Sequence, residues 1–308
     1  METLNTTFES FSSPGTFHRV DGSHPLNIYI GIDDQSRWSL LLICDFEPPA
    51  IESSRMISIQ KGRRSDSRWV LSLSLVDVKY KEMFLLFCSD IIDSSRTITD
   101  AKKAVQFIGK RYQEWREMLA NSRGDLLSAS EIKGLLGELY FLKTYLAPIY
   151  GIEKATTSWT GPRLLPQDFI IDDTWYEVKT ISSSRDSVKI SSIEQLDSNS
   201  NGKLVVVYSD KTSLTNEKAL NLNKLYFQLM EEITDDTVKS EFSMMLLRFG
   251  YYPRHEYETA NNTYEVKQVH QYLVTASFPC LRRSEIPESI GEANYTILLP
   301  TIFPFREE

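Results

Sequence analysis

The stretch Pro166-Gln167-Asp168-Phe169-Ile170-Ile171-Asp172-Asp173-Thr174-Trp175-Tyr176-Glu177-Val178-Lys179 decides how this chain is read. Its second half has strand character, and in a strand residues two apart point to the same face. Glu177 and Lys179 therefore project side by side, with Val178 turned the other way into the core. If Asp172-Asp173 is a two-residue hairpin turn, Ile171 faces Thr174 and Asp168 faces Glu177, with Cβ atoms about 4.5–5.5 Å apart. A three-residue turn would set Asp168 opposite Val178 instead, still within reach from the strand end, and Asp-Asp is not the preferred pair for a tight hairpin. Two carboxylates that close repel unless a cation lies between them. A hard divalent ion held by one or two carboxylates, water and phosphate oxygens meets that requirement. Phosphodiester hydrolysis needs such an ion to activate water and stabilise charge. Lys179 is placed to hold a phosphate oxygen or to orient the water.

A helix comes before this stretch. Ile132, Leu135, Leu136, Leu139, Leu142 and Leu146 form one apolar stripe from about Ser130, and Pro148 is expected to end it. Glu138 lies about 100° from Leu139 on the 3.6-residue wheel, at the edge of the stripe. From there it is a candidate third carboxylate for the metal, directly or through water; the plainer reading is an ordinary boundary glutamate. A Trp/Gly/Pro loop (Trp159 to Pro166) connects helix and hairpin. After the hairpin the sequence predicts a short helix near Ser191 to Leu196, a buried strand at Leu204 to Tyr208 and a helix over Asn216 to Ile233. Strands are expected at Phe242 to Phe249, Thr263 to Ala276 and Tyr295 to Leu299.

Gly137-Glu138, then Gln167-Asp168-Phe169, then Glu177-Val178-Lys179-Thr180-Ile181 resembles the PD-(D/E)XK nuclease superfamily. The Asp-Phe followed by Glu-x-Lys-Thr-Ile is most similar to the branch that holds the mismatch-repair nicking endonuclease and related restriction enzymes. The chain as a whole resembles a bacterial family of PD-(D/E)XK proteins found near restriction and phage-defence genes, in which a Ser-rich stretch and a Gln-Leu pair recur, here Ser182 to Ser184 and Gln195-Leu196. The superfamily resemblance covers about Ser130 to Tyr208. It implies an α/β (α+β) fold, a restriction-endonuclease-like mixed sheet flanked by helices. It also implies Mg²⁺ dependence with Mn²⁺ able to substitute, and Glu138, Asp168, Glu177 and Lys179 as catalytic residues, the three acids holding metal. Gln195 and Ser182 are weaker outer-shell or DNA-contacting candidates. One position departs from the pattern: Gln167 precedes Asp168, and Pro166 stands one residue further back.

A bare Glu-x-Lys carries little weight, because Tyr264-Glu265-Val266-Lys267 repeats Tyr176-Glu177-Val178-Lys179. The second copy has Arg254-His255-Glu256 where the first has its Asp-Phe, and reads as a strand with solvent-facing charges. The weight lies in the combination of helix-borne Glu, loop, Asp, hairpin and Glu-x-Lys. There is no Gly-rich phosphate loop ending in Lys-Ser/Thr and no Gly-x-Ser-x-Gly elbow.

The first third reads as β: Asn27 to Asp33, Trp38 to Cys44, Arg55 to Gln60, Trp69 to Val76 and Glu82 to Cys88, separated by turn-forming clusters. Leu71, Leu73 and Leu75 alternate with Ser72 and Ser74, the period of a half-buried strand. A smaller antiparallel β-rich domain over 1–96 is expected, followed by a connecting amphipathic helix and linker over 97–124. The nuclease-like domain then runs over 125–308. The connecting helix shows its face at Ala101, Val105, Ile108, Tyr112, Trp115 and Leu119, with a cap at Thr97 and Asp100 and a stop at Gly124. Lys102, Lys103, Lys110, Arg111 and Arg116 read as its solvated side.

With 41% hydrophobic and 25% charged residues, the 308-residue chain has a globular composition. No apolar run is long enough for a membrane span, and Met1 to Ser12 lacks the marks of a secretory signal, so a cytoplasmic protein is expected. Cys44, Cys88 and Cys280 read as reduced thiols. The net charge of -8 argues against broad nonspecific DNA binding, which leans on Lys and Arg. A few well-placed cations, or a basic partner subunit, can still supply a local field. Two functions follow. The first is a Mg²⁺-dependent DNA endonuclease of a restriction or defence system, with other subunits of a complex or a homodimer as partners. The second is a non-catalytic subunit that keeps the fold and binds DNA or a partner.

Overall fold

The computed structural model describes residues 2–121, 126–161, 165–198 and 200–307. The chain forms two compact units, Met1–Gly124 and Asp125–Glu308. Among the described residues no helix is long and apolar enough to cross a membrane.

The first unit holds helix α1 (Glu2–Ser10) and a five-stranded antiparallel sheet in the order β1-β2-β3-β5-β4. The strands are β1 (Thr16–Arg19), β2 (Ile28–Ile32), β3 (Trp38–Cys44), β4 (Ile57–Arg63) and β5 (Trp69–Leu75). Leu71, Leu73 and Leu75 are buried as the alternation predicts; Ser74 is buried as well, and its hydroxyl pairs with that of Ser39 on β3. The run 82–88, expected to be a strand, is instead part of helix α2 (Lys81–Ser94). The apolar residues continue past Cys88 to Ile91 and Ile92, and Met83 through Cys88 are all buried. A helix enclosed on nearly every side loses the 3.6-residue period that would mark it.

Helix α3 (Ala101–Asn121) starts at Asp100, whose carboxylate accepts from the Lys103 N–H; Thr97 is not the cap. Its Tyr112 and Trp115 rings meet Phe87 edge-on. Arg111 is not on a solvated face: it forms a two-pronged pair with the buried Asp90, which also accepts from the Trp115 indole. The Leu119 side chain and the stop at Gly124 lie outside the described residues, as do 162–164 of the Trp/Gly/Pro loop.

The second unit is built on a four-stranded mixed sheet in the order β10-β9-β7-β6. Its strands are β6 (Phe169–Ile171), β7 (Thr174–Ile181), β9 (Asn201–Lys211) and β10 (Tyr264–Val274). β7 and β9 run parallel, and the other pairs are antiparallel. A separate two-stranded ribbon pairs β8 (Ser187–Ile190) with β11 (Tyr295–Leu298). One sheet face is covered by this ribbon and the 3₁₀ stretch Leu299–Phe305, which with Trp175, Leu204, Val206 and Tyr272 enclose a continuous apolar core. Each large side chain fully buried there contributes about 1.5–3 kcal/mol.

Helix α4 (Ala129–Phe141) lies against the other face, started by a capping box between Ser128 and Glu131. It approaches β7 closely because residue 137 is glycine: a Cβ there would come within 1.8 Å of the Thr180 hydroxyl oxygen and 3.1 Å of its Cβ. Phe141 packs on Tyr176, so Tyr176, Val178 and Thr180 form the helix-facing side of β7. Pro148 does not stop the chain's helical course. A π turn (Leu142–Leu146) follows α4, Pro148 sits in the first turn of α5 (Ala147–Tyr150), where its missing N–H has no intrahelical acceptor to lose, and Gly151 at φ 83° leads into α6 (Ile152–Thr157).

Two further expectations change. The helix expected over 216–233 is confined to α7 (Leu222–Glu232), capped by the Asn221 side chain. The strand expected at 242–249 is the second half of α8 (Asp236–Phe249), capped by Asp235 and ended by Gly250 in the left-handed conformation. Here the apolar run Met244 to Leu247 is buried in full and hides the helical period.

The fit of α4 on β7 yields a paired prediction on one helix. Gly137→Ala should destabilise the protein by about 1–3 kcal/mol in urea unfolding, through overpacking against Thr180. Gly134→Ala, whose Cβ would meet nothing within 4 Å, should be neutral or stabilising by up to about 1 kcal/mol. Equal effects would refute close packing at Gly137.

Candidate active site

The hairpin turns at Asp172-Asp173, with Phe169 opposite Tyr176 and Ile171 opposite Thr174. Asp172 takes φ 51°, a left-handed conformation that aspartate tolerates, and its carboxylate is paired with Lys154. Continued one step, this register sets Asp168 across from Glu177, and the Asp168 N–H bonds to the Tyr176 carbonyl.

β6 has only three residues and β7 has eight, so the outer edge of β7 is unpaired beyond Tyr176. The Asp168 carboxylate takes over there: its Oδ2 accepts from the Val178 N–H at 2.7 Å. Glu177 and Lys179 project from the sheet face opposite α4, on the side of the ribbon core. Lys179 Nζ stands 2.6 Å from Glu177 Oε1, at an angle that makes no hydrogen bond, and neither buried oxygen of Glu177 has a hydrogen-bond partner. Lys179 Nζ donates to Gln195 Oε1 at 3.3 Å, and that oxygen also accepts from the Ser191 N–H at 2.7 Å. Gln195 is held by the 3₁₀ turn Ile193–Gln195.

Glu138 comes from α4 on the other face, and its Oε2 accepts from the Trp159 indole N–H at 2.8 Å. The two faces meet past the end of β6, beside Gly161. A methyl group on Gly161 would lie 3.0 Å from Glu138 Oε2 and 3.6 Å from Asp168 Oδ1. Glu138, Asp168, Glu177 and Lys179 thus converge on one strand edge, with Gln195 beside Lys179. Ser182 lies apart, accepting from Lys133 Nζ at 3.0 Å. Glu265 and Lys267 pair with each other on β10 at 2.6 Å, Lys267 exposed, away from this cluster.

Three features in and beside the site were not legible in the sequence: the partner of Trp159, the role of Gly161 and the surroundings of Lys133. Trp159, which packs in the core, also orients Glu138; an indole N–H buried near an acid is visible only in three dimensions. Gly161 leaves open the space that the two carboxylates face. Lys133 lines a cavity of about 360 Å³ with Arg185 and Lys189, together with the hydroxyls of Thr180, Ser182 and Ser187. No carboxylate lines it, and among the described residues these three cations have no ion-pair partner. Lys133 lies far in sequence from Arg185 and Lys189, so spacing alone does not bring the three together.

The acids bear the mark of crowding. Burial, then the neighbouring Asp168, raises the Glu138 carboxyl well above its usual range. Burial also raises Glu177 to about 8, with Asp168 adding to the rise and Lys179 opposing it. Asp168 is raised by burial to about 6, against the pull of Lys179 and of the Val178 N–H. Among the described residues no three acids, histidines or cysteines stand ready as a metal cage. Each acid is turned to a protein partner: Glu138 to Trp159, Asp168 to Val178 and Glu177 to Lys179. The donor set still fits a hard divalent cation. It offers three carboxylates, two buried oxygens of Glu177 with no hydrogen bond, and a glycine at 161, where a Cβ would crowd Glu138 Oε2 at 3.0 Å.

A mixed sheet flanked by helices, with an acid-bearing helix, an Asp at the strand end and Glu-x-Lys on the neighbouring strand, defines a PD-(D/E)XK-type fold. The chain belongs to the family whose model is described as "Putative PD-(D/E)XK family member, (DUF4420)", matched over residues 4–300. No curated protein and no solved structure matches it.

The raised carboxyls set the pH response of the metal-free protein. Each holds its proton more tightly folded than unfolded, so the stability this contributes is present at low pH and is lost as pH rises through the folded value. For Asp168 the window runs from 3.8 to about 6, and for Glu177 from 4.5 to about 8. In chelator, the Tm should fall as pH rises from about 5 to about 8, and Glu177→Gln should reduce the slope above about pH 6, leaving the part that Glu138 contributes. A flat wild-type profile would show that the carboxyls are not crowded.

Proposed function

We propose that the second unit hydrolyses phosphodiester bonds in DNA as a divalent-metal-dependent endonuclease. The observation that carries this is the convergence of Glu138, Asp168 and Glu177, with Lys179, on the unpaired edge of β7. Protein stability alone disfavours such a cluster, since two buried carboxylates and a half-buried third are held together with one ammonium among them.

The three carboxylates would hold the ion, Mg²⁺ or Mn²⁺ in its place. When bound, such an ion supplies charge stabilisation on a phosphate oxygen and a water of lowered pKa. Lys179, with 17% of its side chain exposed, reaches the solvent side and would hold a phosphate oxygen or the attacking water. Gln195, fixed by the Ser191 N–H, sets the direction of that ammonium. The cavity of Lys133, Arg185 and Lys189 would take a neighbouring backbone phosphate, giving a chain of net charge -8 the local positive field it otherwise lacks. We extend the reading, on the family resemblance, to a cytoplasmic restriction or phage-defence system in which the chain acts with partner subunits or as a homodimer.

The second reading, a non-catalytic subunit that binds DNA or a partner, draws on the net charge and on the acids' present attachment to protein partners. Plasmid cleavage with Mg²⁺ separates the two. Lys179→Ala and Asp168→Ala should each lower the rate by at least about 100-fold, and Glu265→Ala should leave it unchanged. Wild-type rates in both site variants would overturn the catalytic assignment. A wild type that takes up Mn²⁺, read as a rise in Tm, yet cuts nothing would favour the second reading.

A further inference from the structure

The sheet face that carries Glu177 and Lys179 continues across two more strands. Glu177 lies beside Leu204 and then Tyr272, Lys179 beside Val206 and then His270, and Ile181 beside Tyr208 and then Gln268. At about 4.8 Å per strand, His270 is about 10 Å from Lys179 along the backbone row. The last two rows open into a second cavity of about 400 Å³.

Tyr208, His270 and Tyr272 form its aromatic floor, with the Tyr208 and His270 rings 5.0 Å apart and His270 and Tyr272 6.4 Å apart. One wall is Phe303, a ring 64% exposed to water, with the Arg306 guanidinium 6.0 Å from its centre. Exposed Gln268 also lines it, as do Arg185 and the neighbouring acid Asp186 from the loop after β7, both exposed. Arg185 also lines the cavity of Lys133 and Lys189, so the aromatic and cationic spaces adjoin. Neither Arg185 nor Arg306 has an ion-pair partner among the described residues.

We infer that this cavity takes a nucleobase unstacked from its neighbours, held in a strand whose phosphate lies at Arg185. The ligand class is thus a purine or pyrimidine carrying a phosphate. An exposed aromatic ring beside a guanidinium stacks on the face of any base. An exposed amide offers both donor and acceptor to a base edge. Burial, then the Arg306 charge, lowers the His270 pKa; its Nδ1 faces the Tyr272 hydroxyl at 3.5 Å, which leaves the other ring nitrogen for a base edge. A site built only for anions would have no use for three aromatic rings, and one built for an apolar ligand would not place two arginines at its walls. The fold would therefore act on a strand locally opened, either single-stranded or with one nucleotide turned out of the duplex.

The inference rests on the nuclease reading only for the class of polymer, and its test needs no cleavage. In chelator, a short single-stranded oligodeoxynucleotide carrying one fluorescent purine analogue is titrated with the full chain, alongside free deoxynucleoside monophosphates and inorganic phosphate. The strand should bind with a change in analogue emission. Phe303→Ala should weaken that binding by about tenfold or more, Gln268→Ala should weaken it less, and Glu265→Ala, which removes the pairing with Lys267, should leave it unchanged. Both altered aromatic-site residues are exposed, so the variants are expected to fold, and an unchanged Tm verifies it. Phe303→Ala binding as tightly as wild type would overturn the inference. So would displacement of the strand by inorganic phosphate as readily as by a mononucleotide, which would mark an anion site. Binding of free mononucleotides with no binding of the strand would overturn the assignment to a polymer. All three results leave the plasmid cleavage result untouched.

Discussion

A strand that ends early leaves its neighbour with an N–H that needs an acceptor. In this protein the acceptor for Val178 is the side chain of Asp168, the residue just before the three-residue strand β6. That hydrogen bond, together with the Asp172-Asp173 turn, holds the hairpin in register and brings the Asp168 carboxyl against Glu177. Had β6 continued, a backbone carbonyl would occupy the place of the carboxylate, and the edge of β7 would be closed to Glu138 and to any ligand. The short strand is therefore what makes the cluster accessible, and the glycine contact of α4 with Thr180 lets Glu138 reach it from the opposite face.

This arrangement is costly, and the protein supports it with specific neighbours. The indole of Trp159 satisfies one oxygen of Glu138, the Val178 N–H satisfies Asp168, and Lys179 offsets part of the charge on Glu177. What remains unsatisfied is concentrated on Glu177, whose carboxyl consequently has the raised value expected of a group that has lost water without gaining hydrogen bonds. The first unit solves a similar problem differently. Its buried Asp90 is met by the paired N–H groups of Arg111 and by the Trp115 indole, a satisfied arrangement. The contrast separates a buried acid that serves structure from one with coordination capacity to spare.

Much of the hairpin was legible because its information is local. Two-residue periodicity and the sum of opposed residue numbers set Asp168 against Glu177 once the turn has two residues, a length the sequence leaves open, and the 3.6-residue wheel places Glu138 at the margin of its helix. Elements enclosed on nearly all sides were not legible in this way. In α2 and in the second half of α8, the unbroken buried runs Met83 to Cys88 and Met244 to Leu247 leave a polar face too narrow to reveal the period. Pro148 misled for a different reason: a π turn just before it shifts the hydrogen-bond pattern so that the missing N–H is harmless. The Trp159 contact and the cavities around Arg185 depend on chain segments that meet only after folding.

The cavity of Lys133, Arg185 and Lys189 carries one consequence for how the protein meets its ligand. Salt at physiological strength limits the reach of a charge to about 8 Å. A phosphate farther away senses the average of the molecule, which is acidic; one at the cavity senses three cations directly, against the more distant pull of Asp210 on Lys133 and of Asp186 in the adjoining cavity. Capture is thus a matter of contact and not of guidance from afar. A strand bound as proposed would be held where its phosphate touches this cavity and would gain little from the field of the molecule as a whole.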